Sequence, residues 1–514
     1  MKTNLKQYRT KSGEMLLYCG TPNFEKVEFL AMESGDIWHS SFEQGYKNAF
    51  PELVYQTAVF FWYLNDFDGL DQCVSWRINP NAFVIRKSVW DSLNGFDEEY
   101  KNKQLMALDF GYNALRNGGA IPLYVKGLFV LSAQENIKIT AADRYVFFRK
   151  NFKIEHSLFM LYRQGFWRIK EWKGLLYALI NFKKRAIGPR IAPRKLNPIL
   201  GKPTVSYIVP TMMRQDFTLN LLNDLKNQSY PPTQVIVVDA TPIAKRDLSL
   251  YNPDKYPFDV QFYWQNTQGS CRARNEAIAL CKGDYIVFGD DDIRIPPDFI
   301  ENHIRLLQTY KASACNGLDI RADNQTQNLE DLKKKVSGFE AKRWIVGATQ
   351  MFSNANSCVK RTFVNQLVGN DINFDGGYGE DSDFGMSLSQ IGVVVLHNPF
   401  SVNLHLKPAT GGYRFWGNQA KISGKLRKKQ PWELDVPLSG IRPVPSPTVL
   451  YGILKHYTVK QALEYKKKYF FLYLFKGSKI SFLWRLIRIP YKNMQFAKSL
   501  FYARKLLILG KRTK

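Results

Sequence analysis

Residues 285–292 read Tyr-Ile-Val-Phe-Gly-Asp-Asp-Asp, an apolar run that ends in three consecutive carboxylates. So short a run of Tyr, Ile, Val and Phe predicts a buried strand. Adjacent aspartates repel one another and stay ionised only beside water, a cation or a set of donors, so the strand end is a candidate metal site. The plain alternative is an Asp-rich turn. Outward from this run lie VSYIVPT (205–211), TLNLLNDLKNQ (218–228), QVIVVDA (234–240), VQFYWQ (260–265) and CRARNEAIALC (271–281). This alternation of strand-like and helix-like segments predicts an α/β domain with a mostly parallel sheet. In such open sheets ligands collect beyond the carboxyl ends of the strands. Pro210, Thr211, Asp239 and the triplet Asp290, Asp291 and Asp292 all fall at those ends.

At 514 residues the chain predicts roughly two to four domains. A content of 45% apolar and 14% aromatic residues supplies cores and excludes wholesale disorder, whereas a net charge of +27 calls for an anionic partner. The cysteines, Cys19, Cys73, Cys271, Cys281, Cys315 and Cys358, are scattered without close pairing. That pattern argues against a disulfide framework and a zinc site and fits a reducing, cytoplasmic setting. The first residues, MKTNLKQYRTKSGEM, lack the apolar core of a secretory signal. Tyr469–Pro490 is interrupted by Lys476, Lys479, Arg485 and Arg488, too many charges for a span exposed to lipid.

Two stretches, 145–195 and about 455–514, combine Lys and Arg with Phe, Tyr, Trp and Leu. The second holds sixteen Lys or Arg against one acid, Glu464. Spacings such as Phe482, Arg485, Leu486 and Ile489 predict short helices with one apolar and one basic face, suited to an anionic membrane surface. The alternative is that they pack on the rest of the protein. Nucleic acid is not the expected partner, because no RNA- or DNA-binding motif accompanies the charge.

The chain also resembles itself. Val84–Gly118 set beneath Cys358–Gly392 needs no gap, and Leu93, Gly95, Asp97, Asp109, Phe110, Gly111 and Gly118 each meet an identical residue. Seven identities in 35 exceed the roughly two that average composition gives. The amino-terminal part therefore reads as a shortened copy of the later domain's second half. Opposite Glu380 and Asp381 it has Met106 and Ala107, and no acidic triplet precedes it, so this copy is expected to be noncatalytic, binding glycan or mediating a homo-oligomer.

VSYIVPT with Arg214, QVIVVDA, GSCRARNEAIALCKGDYIVFGDDD, GGYGEDSDFG (376–385) and NLHLKP (403–408), in this order, resemble glycosyltransferase family 2, over about Pro203–Pro408. The resemblance implies a GT-A, Rossmann-like fold and inverting transfer from a nucleotide-sugar donor, with Mn²⁺ or Mg²⁺. It places Asp290 and Asp292 on the metal against a diphosphate, with His405 as a third ligand, and Asp291 near the ribose or sugar or in a structural role. Pro210, Thr211, Arg214, Asp239 and Arg274 fall on the donor side; Arg272 or Arg274 would meet phosphate. Asp239 departs from the pattern, which often has two adjacent acids, so a uracil preference rests on one carboxylate. Asp381 falls at the general base and Glu380 beside the acceptor; helix capping is the simpler role for both. Lys407, Arg414 and Trp416 lie in a glycine-containing stretch suited to a lid.

The expected organisation is a truncated GT-A-like α/β domain over 1–140, a basic aromatic helical linker over 141–200, a GT-A catalytic domain over 201–425 and basic amphipathic helices over 426–514. The expected function is sugar transfer to a glycan or lipid-linked glycan in surface polysaccharide assembly, at the cytoplasmic face of the membrane. A nucleotidyltransferase and a noncatalytic carbohydrate-binding scaffold are the alternatives.

Overall fold

A computed structural model of the chain describes residues 5–514 apart from 54–64, 131–133, 187, 189, 248, 250, 266–267, 341–342, 414–428 and 476–479. The chain divides into two compact units. One comprises Met1–Pro193, Ile345–Thr349 and Lys460–Lys479; the other comprises Arg194–Trp344, Gln350–Val459 and Ile480–Lys514.

The second unit is built on the strands read from the sequence. Val205–Thr211, Gln234–Asp239 and Asp259–Trp264 run parallel, and Tyr285–Phe288 pairs parallel with the first of them. The full path is Ile293–Arg294, Val395–His405, Ala314–Arg321, Ser357–Lys360, Tyr285–Phe288, Val205–Thr211, Gln234–Asp239 and Asp259–Trp264. Ser357–Lys360 is antiparallel to both of its neighbours, so the sheet is mixed rather than mostly parallel at this end. Val205, Tyr207, Val235, Val237, Ile286 and Phe288 are fully buried, as central strands covered on both faces require. The helices Gln215–Lys226 and Ser270–Leu280 follow strands as the alternation predicts, Phe299–Thr309 follows Ile293–Arg294, and Glu380–Gln390 comes after the short helix Arg361–Gln366.

The first unit carries six strands in the order Lys6–Arg9, Met15–Cys19, Phe83–Arg86, Ile37–His39, Pro122–Val125 and Gln72–Val74. Ile37–His39 lies between an antiparallel neighbour, Phe83–Arg86, and a parallel one, Pro122–Val125. In the second unit Ala314–Arg321 lies between antiparallel Ser357–Lys360 and parallel Val395–His405. The short helices Lys87–Ser92 and Arg361–Gln366 follow the paired strands, and each is followed by two residues at positive φ, Asn94 and Gly95 or Val368 and Gly369.

The retained aspartates also behave alike in the two units. Lys150 and Arg185 bind Asp97, and Arg185 binds Asp109 at 2.7 Å. In the second unit Lys455 bridges Asp371 and Asp383 at 2.9 and 2.7 Å. Each aspartate pair is thus held by a cation from a later segment of its own unit, an arrangement that local sequence does not announce.

Residues 141–200 do form helices, Ala141–Asn151, Ile154–Gln164 and Ile169–Asn181, but not as a linker. Tyr145, Phe147, Phe148, Phe159 and Leu175 belong to the core of the first unit. The carboxyl-terminal region likewise differs from a set of surface helices. Pro447–His456 buries Leu450, Tyr451 and Ile453, and Ile489–Leu509 buries Phe496, Tyr502, Ala503 and Leu506, with Tyr502 against Trp432 at 4.9 Å. Apolar burial of this kind contributes about 1.5–3 kcal/mol per large side chain, enough to fix both helices in the second unit. Among the described residues no helix is long and apolar enough to cross a membrane.

Candidate active site

The acidic triplet sits where Tyr285–Phe288 ends, and two of its members are buried. Asp290, Asp292 and His405 each offer one ligand atom, and these atoms lie within 4.8 Å of one another. Two carboxylates and an imidazole suit Mn²⁺ well and Mg²⁺ through its carboxylates, so the residues present fit a divalent ion. His405 reaches the cluster because Val395–His405 pairs antiparallel with Ile293–Arg294, setting His405 opposite Ile293.

A fourth residue completes this cluster. The Nδ1 of His405 lies 3.1 Å from Asp319 Oδ1, and its Nε2 lies 3.3 Å from Asp292 Oδ1. A carboxylate on one imidazole nitrogen fixes the ring and leaves the other nitrogen facing the acids, the arrangement common around metal-binding histidines. Burial disfavours charge on His405, but Asp292 and Asp319 outweigh it and raise the imidazole to about 10. Burial also disfavours charge on Asp292, yet His405 and then Arg214 hold its carboxyl below the ordinary range. Sequence reading missed Asp319, since its link to His405 depends on the parallel pairing of Ala314–Arg321 with Val395–His405.

Arg214 and Thr211 are turned to the triplet rather than held free for a donor. Arg214 Nη1 donates to Asp291 at 3.1 Å and to Asp292 at 2.8 Å, and the Thr211 hydroxyl donates to Asp291 at 2.7 Å. Burial, with the adjacent acids, raises Asp291 despite Arg214. Pro210 is buried within its strand. Asp239 is buried too, and both of its oxygens accept hydrogen bonds, from the Thr241 amide at 2.8 Å and the Tyr251 hydroxyl at 2.9 Å.

Arg274 stands differently. One nitrogen, Nη2, donates to Asp290 at 2.5 Å, while Nε and Nη1 are buried and have no hydrogen-bond partner. Burial opposes its charge, but Asp290, with Asp381 and Glu380 beyond it, holds the guanidinium ionised. A buried guanidinium with unpaired N–H groups beside the cluster of Asp290, Asp292 and His405 suits an anionic ligand such as phosphate. Arg272 reaches Asp375 instead, at 3.6 Å.

Glu380 and Asp381 open the helix Glu380–Gln390 behind Gly379, whose φ of 109° few other residues adopt. The Asn354 amide donates to Asp381 Oδ1 at 3.1 Å. Burial first, and Glu380 next to it, raise Asp381 to about 7, so it is poised to exchange a proton near neutrality. The helix Pro447–His456 holds this region in place: Thr448 accepts from the Tyr378 amide at 2.9 Å, and His456 Nε2 meets Asp383 at 2.6 Å.

The glycine-containing stretch is anchored as far as it is described. Arg214 Nε donates to the Thr410 carbonyl at 3.1 Å, and the Tyr413 hydroxyl to that of Thr211 at 2.8 Å. Arg414 and Trp416 lie outside the described residues.

Residues 206–368 match the family model of glycosyl transferase family 2. TuaG of Bacillus subtilis, named as a glycosyltransferase of teichuronic acid biosynthesis, is 27% identical over 128 residues, which cover 24% of this chain and 50% of TuaG. WcaA of Escherichia coli, named as a glycosyl transferase of colanic acid biosynthesis, is 29% identical over 99 residues, 19% of this chain and 36% of WcaA. The chain thus spans half or less of the length of these relatives. Among solved structures, the mannosyltransferase PcManGT of Pyrobaculum calidifontis, in complex with GDP-Man and Mn²⁺, is similar at 20% identity and a TM-score of 0.36, over 62% of this chain and 91% of that one.

Proposed function

We propose, from the match of residues 206–368 to the family model of glycosyl transferase family 2, that the chain transfers a sugar, with inversion, from a nucleotide-sugar donor to a glycan or lipid-linked glycan. The mixed α/β sheet of the unit that contains these residues suits the GT-A fold that the resemblance implies. The observation that carries the reading is the pairing of two acidic groups of different character. Asp290, Asp292 and His405 gather into one cluster, and Asp381, raised toward neutrality, stands apart from them with Arg274 coupled to both.

Asp290, Asp292 and His405 would hold Mn²⁺ or Mg²⁺, which, when bound, neutralises charge growing on a departing nucleoside diphosphate. Arg274 supplies the N–H groups of its Nε and Nη1 for that phosphate. Asp381 takes the proton of an acceptor hydroxyl as its oxygen bonds to the anomeric carbon, while the bond from that carbon to the diphosphate oxygen breaks. Attack on the face opposite the leaving group inverts the anomeric centre. Arg214, Thr211 and Asp319 position the acids and the histidine. Asp239 and Tyr251 form the nucleobase end, with a single carboxylate behind a preference for uracil, and so for a UDP-sugar.

If Asp319 orients His405, Asp319→Asn weakens Mn²⁺ binding by roughly 10–100-fold with the fold intact. Calorimetric titration of Mn²⁺, with circular dichroism as the control, checks this; unchanged Mn²⁺ affinity removes Asp319 from the account.

The first unit, with the same strand pairing and aspartate anchors but without the acids, is a noncatalytic duplicate of the second half of the catalytic unit. It serves glycan binding or self-association. A nucleotidyltransferase is disfavoured by the placement of Glu380 and Asp381 at a helix start beside Arg274.

Surface polysaccharide assembly at the cytoplasmic face of a membrane is the setting we infer. In the second unit, the helix Ile480–Ile487 leaves Leu483 and Ile487 more than two-thirds exposed and Trp484 59% exposed, beside Arg485 and Arg488. In the first unit, Phe166, Trp167, Ile169 and Ile180 are exposed among lysines. Apolar side chains ringed by cations match an anionic lipid surface. Trp484→Asp with Ile487→Asp is expected to cut co-flotation with phosphatidylglycerol vesicles at least about tenfold without altering donor hydrolysis; equal flotation of variant and wild type rejects this surface.

A further inference from the structure

We propose that the side-chain amides of Gln350 and Asn354 bind hydroxyl groups of the sugar being transferred and so set which nucleotide sugar the site accepts. The proposal rests on the glycosyltransferase reading above. Both residues are buried, at 1% and 2% exposure, and neither the oxygen nor the nitrogen of either amide has a hydrogen-bond partner. Folded proteins rarely leave buried amides unpaired, and two only four positions apart in the chain point to a stretch shaped for something other than the protein itself.

Their place in the fold says which ligand they suit. The stretch 350–356 leads into Ser357–Lys360, where Ser357 pairs with Phe288, the last residue of the strand that presents the acidic triplet. At its other side the Asn354 backbone N–H donates to Asp381 Oδ1. The stretch that carries both amides thus joins the strand beside the acidic triplet to the Asp381 carboxylate. A transferred sugar must sit between them, its anomeric carbon bonded to the phosphate on the metal side and open on its opposite face to the acceptor oxygen that Asp381 deprotonates. Sugar hydroxyls both donate and accept, as an amide does, so the groups are complementary.

The first unit provides an internal control. If the ungapped pairing of Val84 with Cys358 is extended backward, Trp76 falls on Gln350, Ile78 on Phe352 and Pro80 on Asn354. The equivalence is structural as well. A Cβ on Gly111 would come within 2.1 Å of the Trp76 carbonyl oxygen, with Ile78 next; a Cβ on Gly385 would come within 2.4 Å of the Gln350 carbonyl oxygen, with Phe352 next. Both units thus run the same backbone path against the same helix turn. Where the acids Glu380 and Asp381 give way to Met106 and Ala107, the amides give way to a buried tryptophan and a buried proline. Packing on this path does not require amides; they accompany the acids.

The test uses the full chain with Mn²⁺ and a panel of UDP-glucose, UDP-galactose, UDP-N-acetylglucosamine, UDP-N-acetylgalactosamine and GDP-mannose, followed by release of UDP or GDP. Gln350→Met and Asn354→Ala are each expected to lower kcat/KM for the preferred donor by roughly 100-fold and, for a UDP-sugar, to narrow its advantage over the C4 epimer. Affinity for free UDP or GDP, measured by calorimetry, should stay within about twofold, which also shows that the variants fold. Asn354→Ser should restore part of the discrimination. Wild-type-like kcat/KM and epimer preference in both variants overturns the proposal and leaves the glycosyltransferase reading standing. A parallel loss of nucleotide affinity and thermal stability also overturns it, since that is what a purely structural role gives. Failure of the wild-type chain to hydrolyse any donor is instead a failure of the functional reading itself.

Discussion

Asp381→Asn is expected to lower kcat for sugar transfer by about 10³-fold, about 4 kcal/mol of transition-state stabilisation, with donor affinity within about twofold of wild type. Asparagine keeps the size of the side chain and its capacity to accept from the Asn354 amide, but it cannot take a proton. The loss therefore appears in turnover rather than in donor binding. The pH dependence has a definite sign. Burial and Glu380 raise Asp381 to about 7, so the ionised base dominates above that pH, and kcat/KM should climb through a midpoint near 7. The limb belongs to the free enzyme, as kcat/KM profiles do, and it should vanish in Asp381→Asn. Folding favours the protonated carboxyl here, so the stabilisation tied to it is present at low pH and lost as pH rises through about 7. Asp381→Asn should accordingly melt at or above the wild-type temperature at pH 8, a sign that the native residue is kept for chemistry.

Asp292→Asn is expected to reduce Mn²⁺-dependent donor affinity by at least about 100-fold and to bring transfer to background, whereas residual binding of free nucleoside without phosphate is little changed. Asp292 is buried and paired with Arg214 at 2.8 Å and with His405 at 3.3 Å, so its charge serves two neighbours besides an ion. Removing one charge from such a cluster leaves buried cations uncompensated, which costs about 3–5 kcal/mol in comparable pairs. Thermal unfolding without metal should therefore show a lower Tm for Asp292→Asn than for Asp381→Asn. Retained Mn²⁺-dependent donor binding by folded Asp292→Asn would remove the triplet from the donor site.

What the sequence discloses here is what short-range pattern encodes. Val205–Thr211, Gln234–Asp239 and Tyr285–Phe288 are apolar runs bounded by polar turns, and the strands lie where those runs lie. Asp290, Asp292 and His405 come together as the motifs lead one to expect. The departures concern choices made by neighbours far away in the chain. Arg214 is taken up by Asp291 and Asp292, because the strand ends bring both carboxylates within its reach. Asp319 supports His405 only through strand pairing, and no residue near Asp319 in sequence announces it. The basic aromatic segments show the same limit. Helical spacing reveals that one face is apolar, but not whether protein or lipid covers it, and Tyr502 and Leu506 are buried in the second unit while Leu483 and Ile487 face outward. Gln350 and Asn354 carry no motif; they are marked by burial without partners on the stretch whose backbone meets Asp381.

The most direct measurement is the product released when the purified full-length chain meets nucleotide sugars and Mn²⁺. The account predicts that at least one nucleotide sugar yields its nucleoside diphosphate, that release stops on chelation of the metal, and that Asp290→Asn and Asp292→Asn abolish it. Release of pyrophosphate from a nucleoside triphosphate, with no nucleoside diphosphate from any nucleotide sugar tested, would contradict it.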